Sequence, residues 1–174
     1  MAPHSLTLEA FREQYKDLPY EYWQGNAVKK SRATWLHSLL QVILAEFLSR
    51  AGYSAGAELD LRLDPNFEPR PDVAAGRKRI PTNYPTERGQ IEIVVEILSP
   101  DDSFSGLVTK CAEYARVGIE QVYVADPESE IAWQWDRERR QLTRTDDWHL
   151  TNGEVIQLED AWIELRKRAR RGEP

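Results

Sequence analysis

Apolar residues recur along this chain with two different periods. From about Ala33 to Arg50, the positions Leu36, Leu39, Leu40, Ile43, Leu44, Phe47 and Leu48 follow i, i+3, i+4, i+7 spacing, which predicts a long amphipathic helix stopped by Gly52. A shorter helix is predicted behind a Thr7 N-cap, with Leu8, Phe11 and Tyr15 on one face and a stop at Leu18-Pro19. Between the two, Tyr20 to Gln24 and Ala27 to Lys29 flank Gly25-Asn26 and read as a hairpin. Leu59, Leu61 and Leu63 alternate with Glu58, Asp60 and Arg62, the period of a half-buried strand, before Asp64-Pro65-Asn66 turns the chain. Pro71 to Ala75 reads as a further strand, followed by a basic, proline-punctuated loop from Arg77 to Gln90 that carries Lys78, Arg79, Pro81 and Pro85.

The second half is dominated by Ile91 to Leu98, apolar and β-branched nearly throughout, as expected of a central strand covered on both faces. Asp101, Asp102 or Ser103 can cap the helix after it, whose core face carries Leu107, Cys111, Tyr114 and Ala115 as far as Gly118. Gln121 to Ala125 then returns as a strand, giving a right-handed crossover unit. Ile131 to Trp135, Gln141 to Thr145 and Val155 to Leu158 read as short antiparallel strands, with a turn at Asn152-Gly153. A basic segment, Arg166 to Arg171, is expected to fray into solvent.

Composition narrows the class. The 174 residues suit one domain, 1–165, followed by the basic tail 166–174, and 41% hydrophobic with 30% charged residues is the balance of a soluble globular protein. No run approaches the roughly 18 apolar residues of a spanning helix. The start, Met1-Ala2-Pro3-His4, has no secretory pattern, so the expected compartment is the cytoplasm, away from any membrane. A single cysteine, Cys111, forbids an internal disulfide and a multi-cysteine zinc site. Twenty-three bases against 29 acids leave a net charge of -6, so any polynucleotide contact must be local.

The candidate chemistry lies in acids that fall on apolar strands. Along Ile91 to Leu98 the side chains alternate faces, which sets Glu92, Val94, Glu96 and Leu98 on one side and Glu96 among apolar neighbours near the strand's end. A carboxylate there must be paired, protonated or bound to a cation. Asp72, after Arg70-Pro71, starts another apolar strand and can project toward the same sheet edge. Lys110 lies about 60° from Leu107 on the helical wheel, bordering the core face, and the rise of the helix brings its ammonium within reach of Glu96. Two carboxylates and an ammonium at one sheet edge suit metal-assisted phosphodiester hydrolysis. On residues alone, a structural ion pair between Glu96 and Lys110, with Asp72 as a turn residue, explains the same pattern more simply.

The spaced motifs carry more information together. Arg70-Pro71-Asp72-Val73, then Val94-Val95-Glu96-Ile97-Leu98-Ser99-Pro100-Asp101, then Lys110 with Tyr114 and Gly118, then Val122-Tyr123-Val124 before Asp126-Pro127, resemble the Uma2 (Uma-two) family of restriction-endonuclease-like proteins, within the PD-(D/E)xK nuclease superfamily. The resemblance runs from about Leu8 to Leu165. It implies an α/β fold with a central mixed four-stranded sheet flanked by helices and an added N-terminal hairpin. It further implies a homodimer, DNA as the substrate, and a Mg²⁺ or Mn²⁺ site with Asp72 and Glu96 as ligands and Lys110 as the catalytic lysine. His37 and Glu58 are implied as further residues facing the site. One departure stands out: the D/E-x-K tripeptide would place lysine at position 98, which is leucine, so the lysine must come from the following helix.

Simpler readings stand beside these. His37 can be a boundary histidine, Glu58 a solvent-facing strand residue, and Arg77, Lys78 and Arg79 solvated charge rather than a grip on phosphate. Trp133, Trp135 and Trp148 are better read as core or interface residues than as base-stacking platforms. A nucleophilic triad of Ser99, His149 and an acid lacks the glycine-flanked elbow that exposes a serine. A catalytically inactive nuclease-fold module for binding or regulation is the competing function, and the acidic balance favours it.

Overall fold

A computed structural model describes residues 5–78 and 89–170. The first helix, α1 (Leu8–Tyr15), is capped by the Thr7 hydroxyl, which accepts from the Ala10 N–H. It leads into β1 (Tyr20–Trp23) and β2 (Asn26–Lys29), paired antiparallel with Trp23 opposite Asn26. The turn is therefore Gln24-Gly25, one residue earlier than the sequence suggests, and both residues take positive φ (44° and 82°), as a two-residue hairpin turn requires. The long helix α2 (Trp35–Arg50) begins behind a Thr34 cap, and β3 (Ser54–Ala57), β4 (Phe67–Glu68), β5 (Val73–Gly76) and β6 (Ile93–Ile97) follow. Helix α3 (Phe104–Arg116), capped by Ser103, crosses over to β7 (Gln121–Asp126). The chain closes with β8 (Ile131–Asp136), β9 (Gln141–Arg144), β10 (Asp147–His149), β11 (Val155–Gln157) and α4 (Leu158–Arg170).

The main sheet is mixed, with strand order β3-β5-β6-β7-β8-β9. Only β6 and β7 run parallel, joined through α3; the other neighbours are antiparallel. It has six strands where the family resemblance implied four, because the β7–β8 and β8–β9 hairpins extend it beyond the crossover. Strand alternation sorts the core. Val73, Ala75, Ile93, Val95 and Ile97 face α2 and α4, whereas Ala74, Val94, Val122 and Val124 face α3 through Leu107, Cys111 and Tyr114. A smaller sheet, β2-β1-β4, joins the second face by an aromatic chain: Trp23 meets Phe67 at 5.4 Å, and Phe67 meets Tyr114 at 5.3 Å, both edge to face.

Two segments depart from the periodic reading. Leu59 to Leu63 form no strand, although Leu61 is buried and Leu59 and Leu63 pack against the α3-side core. Pro65, Pro69 and Pro71 lack amide donors on the returning chain, so a ladder cannot propagate; Leu61 N–H reaches the Pro69 carbonyl and pairing stops there. Arg166 to Arg170 are not a fraying tail but the last turns of α4, which buries Leu158, Ala161, Trp162 and Leu165 and ties Arg168 to Glu46 at 2.8 Å. The tail beyond Arg170 and the loop positions Arg79, Pro81 and Pro85 lie outside the described residues, as does the start at Met1 to His4. Among the described residues, no helix is long and apolar enough to cross a membrane.

Candidate active site

Strand register brings the two acids together. Val73 pairs with Val95 in the antiparallel β5–β6 ladder, so continuing by one residue sets Asp72 opposite Glu96 on the same face of the sheet. Both are buried, at 3% and 4% exposure, and Lys110 joins them from α3 at 7%. Lys110 Nζ donates to Glu96 Oε2 at 2.9 Å and to Glu21 Oε1 at 2.9 Å. One helical turn on, the Tyr114 hydroxyl donates to Glu96 Oε1 at 2.6 Å, so α3 supplies a donor to each oxygen of that carboxylate.

Asp72 is held from the other side. Its Oδ2 accepts the Ile97 N–H at 2.7 Å and lies 3.3 Å from His37 Nε2, while Oδ1 lies 3.2 Å from Lys30 Nζ. His37 is buried near the start of α2 and contributes this contact, leaving its Nδ1 without a hydrogen-bond partner. Glu58 sits in the turn after β3, not on a strand, with a positive φ of 53°. It meets Lys30 Nζ at 2.8 Å and accepts from Gln41 Nε2 at 3.2 Å, while Gln41 also donates to the Asp72 carbonyl at 2.8 Å. All five residues expected at the site therefore converge.

Sequence reasoning missed two others. Glu21 is a buried acid on β1, and it also accepts the Arg70 N–H at 2.7 Å. Lys30 follows β2 and reaches across to Asp72, 42 residues away. The one signal for Glu21 was an acid between Tyr20 and Tyr22 on a strand; Lys30 lies in a Lys29-Lys30 pair that reads as solvated charge.

Electrostatics follow from this burial. Burial alone would raise Asp72, but the His37 hydrogen bond and the charges of Lys30, His37 and Lys110 outweigh it and hold the carboxyl well below its usual range. Burial pushes Glu96 up to about 7, with Lys110 opposing and Asp72 and Glu21 reinforcing the shift. For Lys110, burial is outweighed by Glu21, Glu96 and Asp72, so its ammonium is held charged. His37 is raised too, since the Asp72 hydrogen bond and charge overcome its burial.

A cleft of about 300 Å³ opens above the cluster. Six carboxylates line it (Glu21, Glu58, Asp72, Glu96, Asp101 and Asp102) against three lysines, so the wall carries surplus negative charge suited to a cation. Among the described residues, no three His, Cys, Asp or Glu side chains are grouped tightly enough to enclose a metal by themselves. Two carboxylates are nevertheless a fitting donor set for Mg²⁺ or Mn²⁺, hard ions commonly held by one or two protein carboxylates together with water and substrate phosphate.

Other candidates lie elsewhere. Arg77 is paired with Glu92 at 2.7 Å near the far end of β6, away from Glu96. The His149 carbonyl bonds Gln121 at the start of β7, and Ser99 follows the opposite end of β6, so no triad forms. Trp148 is fully buried, stacked on Tyr123 at 4.3 Å, and Trp135 is also buried.

Residues 8–166 match the profile of the Uma2 family, described as "Putative restriction endonuclease". No curated protein matches the chain. A crystal structure described as "a putative nuclease belonging to DUF820" from Anabaena variabilis ATCC 29413 is 19% identical, with a TM-score of 0.76, over 92% of this chain and 99% of that one. It shares the fold. A cryo-electron-microscopy structure of a DrdV–DNA complex is a looser likeness, 15% identical with a TM-score of 0.40, over 77% of this chain and 11% of that one.

Proposed function

The chain belongs to the Uma2 family, and on that premise we propose that it is a divalent-metal-dependent endonuclease hydrolysing DNA phosphodiester bonds. The observation that carries this reading is the meeting of Asp72, Glu96 and Lys110 at the floor of one acidic cleft, with Lys110 Nζ 2.9 Å from Glu96. Asp72 and Glu96 would hold Mg²⁺ or Mn²⁺, each keeping lone pairs beyond those its protein donors use. When bound, such an ion supplies Lewis-acid activation of a phosphate oxygen and of water. Lys110 brings a fixed positive charge to the place where the phosphate gains negative charge, and orients water beside Glu96. Tyr114 fixes Glu96, Glu21 fixes the lysine itself, and His37 with the Ile97 N–H fixes Asp72. The protein is taken to act as a homodimer in the cytoplasm.

The test is nicking of supercoiled plasmid in the presence of Mn²⁺. Wild type should nick, and Lys110→Met, checked for folding by circular dichroism, should lose at least about 100-fold. Equal nicking by both would remove Lys110 from the chemistry. A wild type that binds DNA and cuts none would favour the inactive binding module, a reading supported by the fact that every oxygen of Asp72 and Glu96 already faces a protein donor.

A further inference from the structure

Beside the Asp72–Glu96 pair lies a second set of oxygens, and the chain fills it with its own ammonium. Lys30 Nζ is 2.8 Å from Glu58 Oε2, 2.8 Å from the Arg70 carbonyl oxygen and 3.2 Å from Asp72 Oδ1. Its three N–H donors are thus matched by two carboxylate oxygens and a carbonyl. The lysine side chain is only 12% exposed. Hard anionic and carbonyl oxygens of this kind are the ligands divalent cations take. The set is held by other contacts: Gln41 bonds Glu58 and the Asp72 carbonyl, Arg70 N–H bonds Glu21, and the second Asp72 oxygen is fixed by Ile97 and His37.

Building on the nuclease reading, in which Asp72 is already a metal ligand, we propose that Lys30 is a tethered cation standing where a second divalent ion would otherwise bind. Paired-metal nuclease sites share one carboxylate between two ions a few ångströms apart. Here Asp72 is shared instead between the metal position and an ammonium. Lys30 is therefore a specificity-determining residue: it limits the chain to one divalent ion and supplies the balancing charge beside Glu58 itself. Lys29, the last residue of β2, lies at the cleft wall and, among the described residues, contacts none of these oxygens, so it does not substitute for Lys30.

The test counts metal. Mn²⁺ is titrated into the purified full chain, with free ion read by electron paramagnetic resonance and protein melting followed in parallel. Wild type should bind one Mn²⁺. Lys30→Met, which keeps the length and removes the charge, should bind a second. Its metal-free form should melt lower than wild type and recover more than wild type does when Mn²⁺ is added, a response that a lysine with a merely structural role would not give. Lys30→Gln provides the same comparison should the methionine variant fold poorly, and Lys167→Met on α4 should behave as wild type. One Mn²⁺ in wild type with no gain in either Lys30 variant would overturn the proposal and leave the nuclease reading standing. Binding in neither protein would overturn both, whereas binding only in the Lys30 variants would uphold the lysine's role and remove the metal from the wild-type reading.

Discussion

Replacing Lys110 by methionine removes the one charge that lies between two buried acids. Lys110 Nζ is 2.9 Å from both Glu21 and Glu96, and all three residues are buried. At an effective dielectric near 20, each contact is worth roughly 6 kcal/mol of direct attraction. Much of that is offset by the desolvation that the methionine no longer suffers. Breaking one partner out of a buried ion cluster costs about 3–5 kcal/mol net, because the acids left behind stay desolvated and unpaired. The cost depends on pH with a definite sign. Glu96 is raised to about 7 in the folded protein from an ordinary 4.5, so its protonation supports folding fully below pH 4.5, and that support is lost as pH rises through 7. Without Lys110 the acid holds its proton to still higher pH, so the penalty should be largest near pH 8 and should shrink toward pH 5.5, where a neutral Glu96 no longer misses the ammonium. Urea unfolding of wild type, Lys110→Met, Glu96→Gln and the double variant at both pH values measures this, with a coupling energy of at least about 1 kcal/mol expected at pH 8. A single-variant loss below about 1 kcal/mol at pH 8, or a loss that grows on acidification, would refute the electrostatic account of the site.

Two further outcomes check the scaffold. A Cβ on Gly76 would lie 1.9 Å from the Gln90 carbonyl oxygen, backbone that cannot swing aside, so Gly76→Ala should cost about 3 kcal/mol in urea unfolding; a loss under about 1 kcal/mol would mean that β5 and the chain entering β6 are less tightly apposed. Cys111 is fully buried on the α3 core face and its thiol is pushed up to about 12, chiefly by burial, so a disulfide reagent at pH 8 should modify it only as fast as the protein opens, and rapid reaction of the native protein would contradict the packing of α3 on the sheet.

What the sequence reveals of this molecule divides along the range of the interactions. Helix α2 was legible because sixteen residues with one periodic face leave little alternative, and Glu96 stood out as an acid inside an otherwise apolar run. Lys110 was legible from its place beside Leu107 and Tyr114. The false strand at Leu59 to Leu63 followed a correct period into a segment whose prolines deny it a partner, and period alone reports burial, not pairing. Helix α4 was lost because its apolar positions Leu158, Ala161, Trp162 and Leu165 straddle what reads as a strand end and a charged tail. Glu21 and Lys30 were hidden for a different reason. They reach the site only when the β1–β2 hairpin folds over the sheet, and no local pattern encodes a contact 89 residues long such as Lys110 with Glu21.

Moving the lysine from the strand to the helix alters what holds the site together. At position 98 a lysine would ride on the same strand as Glu96; there, instead, Leu98 is partly buried against the α3-side core. On α3, Lys110 and Tyr114 are four residues apart, facing the two oxygens of one carboxylate, so the helix sets both the charge and the orientation of Glu96. That arrangement is only as accurate as the docking of α3, which rests on Leu107 and Cys111 packing against Val94, Val122 and Val124. A small shift of the helix moves both donors together and leaves Asp72, which is fixed through β6 and α2, where it was. The two acids thus answer to different parts of the core, and the hydrophobic packing under α3 governs the geometry of Glu96 and Lys110 without touching Asp72.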